Sequence, residues 1–145
     1  MMSAEENQAI IASRYVDLNR HDLDAAMKLL APDFIFYAPG ATKPVDAQGW
    51  RRFFEMYFRA FPDLRFEADQ LFACDDDVAL RWMMHGTQEK DFLSVPPTGK
   101  EVTTLGIGVF HVVNGKIAAE WLEFDRLGLI QELGVILVRG RLASD

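Results

Sequence analysis

The chain has 145 residues, of which 50% are hydrophobic, 12% aromatic and 26% charged, a composition typical of one soluble globular domain. Its net charge of −7 and its lack of a basic run argue against a nucleic-acid partner, since nothing would neutralise the phosphates. The polar, acidic start argues against a secretory signal, and no apolar run is long enough to span a membrane. The single cysteine excludes an intrachain disulfide and fits a reducing compartment. We expect a cytoplasmic protein that makes no contact with membranes.

The whole chain, residues 1–145, is predicted to form one domain, because it has no repeat, linker or low-complexity tract. Its ordered core should cover about residues 4–135, and the tail at 136–145 loses periodicity and should fray.

The first half of the chain predicts helices. Apolar residues recur at helical spacing over residues 4–19. A second helix should begin at a cap formed by Asp22 or Asp24 and end before Pro32.

A strand and a third helix are predicted next. FIFY at 34–37 predicts a short strand, and PGATKPV after it predicts a turn with room for a brief returning strand. Asp46 stands where the cap of the third helix is expected, and Pro62 stops that helix. The helix carries an aromatic stripe that favours core packing over a cofactor site: Trp50, Phe53, Phe54, Tyr57, Phe58 and Phe61.

From Leu64 onward the apolar pattern changes to a period of two, which predicts strands. Three aspartates at 75–77 separate the first two strands and favour a solvated hairpin tip over a metal site, since no histidine lies near them. Two long strands are predicted at 101–113 and 116–124, with a short helix after them that ends at Gly134. The pattern predicts an α+β fold with helices on one face of a curved, antiparallel or mixed sheet.

Several motifs carry a family resemblance: FPDL at 61–64, GTQ at 86–88, PPTGK at 96–100, NGKI at 114–117 and DRLGLIQELG at 125–134. With them the chain resembles the SnoaL-like polyketide cyclase group of the nuclear transport factor 2-like superfamily. LNRHDLDAAMKLLAPDF at 18–34 is also similar to ketosteroid isomerases of that superfamily. The resemblance implies a cone-shaped sheet wrapped around three N-terminal helices, an apolar pocket between them, and a homodimer formed through the sheet.

The Asn114-Gly115 turn decides which side chains of the last two strands share a face. In a two-residue loop Val113 pairs with Lys116, whereas in a three-residue loop with a bulged glycine Val112 pairs with Lys116. This difference of one residue exchanges the two faces of the second strand.

The resemblance favours the three-residue loop. The catalytic aspartate of the cyclases and its histidine partner fall at Leu122 and Gly108, and an associated glutamine falls at Gly106. These positions share a face only in the bulged register. The isomerase acid also falls at Gly108, and the isomerase base falls near Tyr37. Neither known mechanism transfers, because none of these residues can act as the acid or base required.

Glu120 is the remaining candidate for acid–base catalysis, since it would face Gly108 within an apolar wall. The alternative is a rim position where Glu120 is solvated or paired with an arginine such as Arg81. Asp125 is a weaker catalytic candidate, because its place before RLGLIQEL favours a helix N-cap. No pair of histidines has metal-ligand spacing, so neither a metal nor another cofactor is expected.

The predicted pocket is lined by ten residues: Tyr15, Tyr37, Trp82, Met84, Gln88, Gly106, Gly108, Phe110, Leu122 and Phe124. The opposite sheet face is too apolar to stand in water and should form a homodimer through Leu105, Ile107, Val109, Ile117, Ala119 and Trp121. Two functions remain open for the pocket. One is cofactor-free cyclase or isomerase chemistry on a small hydrophobic carbonyl compound, and the other is a binding or dimerisation module without chemistry.

Overall fold

The computed structural model describes residues 2–135, so the predicted tail at 136–145 lies outside the described residues. The elements are α1 (Ala4–Asn19), α2 (Leu23–Met27), β1 (Leu30–Tyr37), α3 (Ala47–Ala60), β2 (Arg65–Cys74), β3 (Asp77–Thr87), β4 (Glu101–Val113), β5 (Lys116–Phe124) and α4 (Arg126–Glu132). The α+β prediction is confirmed.

Side-chain caps set the starts of the helices. Ser3 opens α1 with a reciprocal capping box, in which its hydroxyl accepts from the Glu6 N–H and the Glu6 carboxylate accepts from the Ser3 N–H. Asp22, rather than Asp24, caps α2 and Asp46 caps α3, each by accepting a backbone N–H three residues on.

The second helix is shorter than predicted, because it ends at Met27 and not before Pro32. Pro32 lies inside β1, at the edge of the sheet. An edge strand tolerates the missing N–H of proline.

The sheet is mixed and has the strand order β1-β5-β4-β3-β2. β1 runs parallel to β5, and every other neighbouring pair is antiparallel. The brief returning strand after β1 amounts to a single bridge between Phe36 and Val45. Asp75 and Asp76 form the tip of the β2–β3 hairpin, as predicted, and residues 2–135 contain no cluster of His, Cys, Asp and Glu that could hold a metal ion. No helix within this range is long and apolar enough to cross a membrane.

The β4–β5 turn has two loop residues, so the predicted three-residue loop is wrong. Val113 pairs with Lys116, and both Asn114 and Gly115 have positive φ, as a tight primed turn requires. The bulge lies further along β5 instead, because Val112 pairs with Ile117 while His111 pairs with Ala119. Ala118 is thus the extra residue.

This bulge restores the predicted faces for residues 119–124 but not for the start of β5. Phe110 now pairs with Glu120, and Gly108 with Leu122, so all four positions face the helices. The predicted position of Glu120 opposite Gly108 is therefore wrong, because the observed register shifts Glu120 to Phe110. Ile117 precedes the bulge and is fully buried in the core. Its predicted place on the outer face is therefore wrong.

α1 and α3 cover one side of the sheet, which we call the inner face, and leave the outer face open. The core between them contains fully buried aromatic side chains from both layers, among them Trp50, Trp82 and Phe110. On the outer face Leu105 is 64% exposed and Trp121 is 40% exposed.

Candidate functional site

Glu120 lies at the centre of the inner face in a buried ion pair. Its carboxylate faces the guanidinium of Arg14: Nη1 lies 2.6 Å from Oε1, and Nη2 donates to Oε2 at 3.0 Å. Both side chains are fully buried. The indole N–H of Trp50 donates to the same Oε1 at 3.1 Å. Both oxygens of Glu120 therefore accept hydrogen bonds from the helices.

This ion pair joins three elements of the fold. Arg14 comes from α1, Trp50 from α3 and Glu120 from β5. The Arg14 guanidinium carbon lies 4.7 Å from the centroid of the Trp50 ring and 5.3 Å from that of Phe110. Such stacking offsets part of the cost of burying a charge.

The predicted alternative partner of Glu120 was Arg81, and that prediction is wrong. Arg81 lies on β3 and donates from Nε to Asp69 at 2.7 Å, where both side chains are well exposed. The real partner, Arg14, was missed although α1 contains a signal for it. Arg14 stands three residues after Ile11 and four before Leu18, on the apolar side of the helix.

A narrow cavity lies beside this pair, between α3 and the sheet. It holds ≈ 10 Å³, about enough for one water molecule. We call it the central cavity, and it is lined by Phe53, Phe54, Tyr57, Phe66, Trp82, Met84, Leu122 and Phe124. Four of these, Trp82, Met84, Leu122 and Phe124, were predicted pocket residues. The helical ones come from the aromatic stripe that the sequence assigned to core packing.

Two residues that line the cavity through their rings also carry buried hydrogen-bond donors. Among residues 2–135 the Tyr57 hydroxyl and the Trp82 indole N–H form no hydrogen bond of normal geometry, although Arg126 lies near the first and the Tyr15 hydroxyl near the second. An unpaired buried polar group costs about 1–3 kcal/mol. Such groups are rare in native structures, and each calls for an explanation.

Two tyrosines near the cavity keep their protons across the neutral range. Burial raises the pKa of Tyr57 above its usual range, although the charge of Arg126 opposes the rise. Burial also raises the pKa of Tyr15, and the Glu120 charge adds to this while the Arg14 charge opposes it. Both phenols are therefore donors and not bases at neutral pH.

Gly106 and Gly108 are surrounded by aromatic rings. A Cβ added at Gly106 would lie 2.5 Å from the Trp82 ring and 2.7 Å from the Cβ of Phe124. At Gly108 it would lie 2.9 Å from the Phe110 ring. The space that a catalytic side chain would need at these positions is thus filled by tryptophan and phenylalanine.

Gln88, a predicted pocket residue, lies outside the central cavity. Gln88 is fully buried, but its amide is used up within its own loop, donating to the carbonyls of Lys90 and Val95 and accepting twice from Thr98. It has no free donor or acceptor for a ligand.

Tyr37 lies on the outer face, where its ring stacks on Trp121 at 5.7 Å with an interplanar angle of 6°. The parallel β1–β5 register puts these two residues side by side. Tyr15 and Phe110 do lie on the inner face, packed edge to face at 6.2 Å, but they do not line the central cavity.

Asp125 is the N-cap of α4. Its Oδ1 accepts from the Gly128 N–H at 2.8 Å, the geometry that the sequence favoured. A Cβ at residue 128 would collide with this carboxylate in its present rotamer, so a larger residue there would have to displace the cap.

The three histidines contribute nothing to the central cavity. His85 contacts Glu67 and Thr103, and His111 contacts Asp77 at 2.9 Å, both on the outer face. His21 bonds the carbonyl of Leu64 and stacks on Phe58.

The family is decided by a profile described as SnoaL-like polyketide cyclase, which matches residues 9–133. The chain belongs to the SnoaL-like polyketide cyclase family. Among proteins of curated function, no sequence matches this chain.

Several solved structures have the same fold. AclR from Streptomyces galilaeus, described as a candidate hydroxylase, is 29% identical, with 93% of this chain and 100% of that chain covered and a TM-score of 0.86. IdmH from Streptomyces antibioticus, a candidate polyketide cyclase, is 28% identical, with coverages of 89% and 99% and a TM-score of 0.81. A SnoaL-like protein from Jannaschia is 18% identical, with coverages of 94% and 99% and a TM-score of 0.84, and so shows the fold alone.

Proposed function

We propose that this SnoaL-like protein binds a small, flat, hydrophobic molecule with an acceptor oxygen, such as a ketone, in the central cavity. The observation that carries the proposal is a pair of buried donors, Tyr57 O–H and Trp82 N–H, on two residues whose rings line an apolar cavity. A ligand oxygen would supply the missing acceptor. Membership of a cyclase family supports a small organic ligand.

Binding requires the aromatic wall to move. The cavity holds ≈ 10 Å³, far less than the few hundred Å³ typical of a ligand site. Phe53 and Phe124 are only half-buried, so their rings meet the least packing resistance. Turning them aside would widen the cavity without breaking a backbone hydrogen bond.

Glu120 is poorly placed to act as a base in the known cyclase manner. Removing a substrate proton would require an oxygen that already accepts from Arg14, and the pair would have to separate in a buried site. The residues that line the cavity include no carboxylate and no histidine within the described range 2–135. These features favour binding and carbonyl polarisation over proton transfer.

The second candidate function is cofactor-free acid–base chemistry with Glu120 as proton acceptor. One observation favours it: Glu120 is fully buried and lies on the same face as Leu122, which lines the cavity. Desolvated carboxylates are the type of base that such chemistry uses.

Binding is tested with prodan, a naphthalene that carries a propionyl ketone and whose fluorescence reports polarity. The wild type should bind it saturably, and Tyr57→Phe should weaken affinity about 3- to 10-fold by removing one hydrogen bond. Tyr37→Phe is the control, because it removes a tyrosine hydroxyl on the outer face, where the ring stacks on Trp121 and lines neither the cavity nor any neighbouring apolar space. Absence of saturable binding, or equal affinity in Tyr57→Phe, would overturn the proposal.

The same probe separates binding from catalysis. Proton abstraction beside the ketone would exchange the methylene hydrogens of prodan for deuterium in deuterium oxide. We expect the wild type to exchange these hydrogens no faster than Tyr57→Phe does. Exchange that the wild type accelerates and Glu120→Gln abolishes would establish the second function instead.

We also propose that the outer face forms a homodimer. The supporting observation is its exposed apolar surface, in which Leu105 is 64%, Ile107 42% and Val109 37% exposed. Ile107→Glu should yield a monomer by light scattering where the wild type is a dimer. Val16→Glu is the control, since Val16 is 49% exposed but on α1, which packs against the inner face. A monomeric wild type would contradict this proposal.

A further inference from the structure

A second apolar space lies next to the central cavity, on the other side of one ring. It is a groove of ≈ 220 Å³ between α1 and the β2 edge of the sheet, and we call it the α1–β2 groove. Its lining is Ala12, Tyr15, Val16, Asn19, Phe66, Ala68, Leu71 and Leu80. Phe66 is the residue that lines both spaces.

The Phe66 ring is held by three aromatic contacts. It meets Trp82 edge to face at 5.1 Å, Tyr15 at 5.4 Å and Phe54 at 6.4 Å. Trp82 and Phe54 belong to the central cavity, whereas Tyr15 belongs to the groove. The ring therefore stands as a partition between the two.

Hydrogen bonds from α1 hold the backbone of Phe66 in place, whereas its ring is held by packing alone. Asn19 of α1 accepts from the Phe66 N–H at 2.7 Å and donates to the Phe66 carbonyl at 3.0 Å. This clamp ties β2 to α1 at the residue in question. Any opening of the partition must then come from rotation of the ring and not from separation of the strand.

The groove is also the apolar approach to the cavity. The Asn19 amide is occupied by the backbone of Phe66, so the groove wall presents almost only carbon to an incoming molecule. By contrast, the hollow beside α3 that contains Met56 is lined by charged groups, namely Arg52, Glu55, Arg59 and Asp91. An uncharged hydrophobic molecule gains more from contact with the first surface than with the second.

We infer that the α1–β2 groove is the entrance to the central cavity and that Phe66 is its gate. The inference rests on the proposed function, because it names the route by which the proposed ligand reaches its site. With Phe66 turned aside, the two spaces join, so the site accepts an uncharged molecule with an apolar arm that remains in the groove. The competing route passes between Phe53 and Phe124, the two half-buried rings of the cavity wall.

The proposed route can be tested by attaching a bulky label at the rim of the groove. Val16 is 49% exposed and lines the groove, so Val16→Cys is expected to fold normally. In a Cys74→Ser background, which removes the exposed native thiol, it can be labelled with N-phenylmaleimide. The label should slow prodan association by roughly tenfold in stopped-flow fluorescence, with a smaller change in affinity.

Two controls accompany the labelled protein. Unlabelled Val16→Cys gives the reference association rate, because it differs from the labelled protein only by the label. A labelled Leu127→Cys should associate with prodan at the wild-type rate, since Leu127 is 51% exposed but lies on α4 outside the groove. Phe66→Leu provides a second, independent measurement. A smaller side chain at the partition should raise both the association and the dissociation rate several-fold.

The outcomes separate the route from the binding itself. Saturable, Tyr57-dependent binding with an association rate that the Val16 label leaves unchanged would overturn the gate and leave the proposed function standing. A wild type without saturable binding would overturn both. Slower association on labelling, together with faster exchange in Phe66→Leu, is the result that supports the gate.

Discussion

The two faces of the β4–β5 hairpin carry apolar side chains of similar size but are in opposite surroundings. Leu122 on the inner face is 3% exposed, whereas Leu105 on the outer face is 64% exposed. The inner face packs against α1 and α3, whereas no helix among residues 2–135 covers Leu105 on the outer face of the same strands. The two-residue repeat of a strand places alternate side chains on opposite faces of the sheet. Which of the two faces becomes part of the core depends on which one the helices cover.

The carboxylates of β5 differ in the same way. Glu120, on the inner face, is fully buried and needs both a guanidinium and an indole N–H as partners. Glu123, on the outer face, is exposed and accepts a hydrogen bond from the Gly40 N–H at 3.1 Å. The inner glutamate is therefore tied to the stability of the fold, and the outer one is not.

The largest expected effect follows from breaking the inner ion pair. Glu120→Leu leaves the Arg14 charge buried without a partner, which should lower the free energy of unfolding by about 3–5 kcal/mol. Urea denaturation followed by circular dichroism measures the loss. Glu123→Leu is the outer-face control and should change stability by less than about 0.5 kcal/mol.

A double variant shows whether the loss of stability comes from the unpaired charge of Arg14 or from poorer packing around residue 120. Arg14→Met combined with Glu120→Leu removes both charges and should recover most of the stability lost in Glu120→Leu alone. Additive losses in the double variant would mean that the ion pair is not the cause.

Truncating the same residue type on both faces gives the next effect. Leu122→Ala removes a buried side chain and should cost about 2–5 kcal/mol, while Leu105→Ala should cost less than about 0.5 kcal/mol. The measurement belongs at a protein concentration where the chain is monomeric. Equal losses under that condition would show that the outer face is covered within one chain.

Added volume on the inner face is expected to cost less than a lost side chain. Gly106→Ala places a methyl group against the Trp82 ring and the Cβ of Phe124, and Phe124 cannot shift there without moving its backbone. Overpacking of this kind costs about 1–3 kcal/mol. Gly108→Ala meets the outer edge of the Phe110 ring at 2.9 Å and the Tyr15 hydroxyl at an ordinary 3.5 Å, both ends of side chains and not backbone-linked carbons, so its loss should lie near the low end of that range. A reversed order, measured as melting temperatures, would contradict the packing described for these rings.

Periodicity in the sequence predicts most of the fold because it reports local burial. The limits of α1, β4 and β5 follow from apolar spacing and from the Asn-Gly turn. The parallel pairing of β1 with β5 does not follow, because it joins distant segments. The bulge at Ala118 was missed because Ile117, Ala118 and Ala119 are all apolar and give no alternation to follow.

The site was less predictable than the fold. Glu120 was found from its register position, but its partner Arg14 lies 106 residues away, and only the packed helices bring the two together. Gln88 was predicted to contact a ligand because a glutamine side chain can both donate and accept hydrogen bonds. Its loop uses all of its hydrogen-bonding groups, which no pattern in the sequence reveals.

The smallest effect separates a helix cap from a catalytic carboxylate. Asp125→Ala removes the acceptor for the Gly128 N–H and should cost about 0.5–2 kcal/mol. Asp46→Ala is matched to it, because Asp46 accepts from the Gly49 N–H at 3.0 Å in the same way. If Asp125 only caps α4, both variants lose similar stability, Asp125→Asn largely restores it, and prodan affinity stays unchanged in all three. A loss of affinity confined to the Asp125 variants would instead place this carboxylate in the ligand site, beside Phe124 at the end of the inner face.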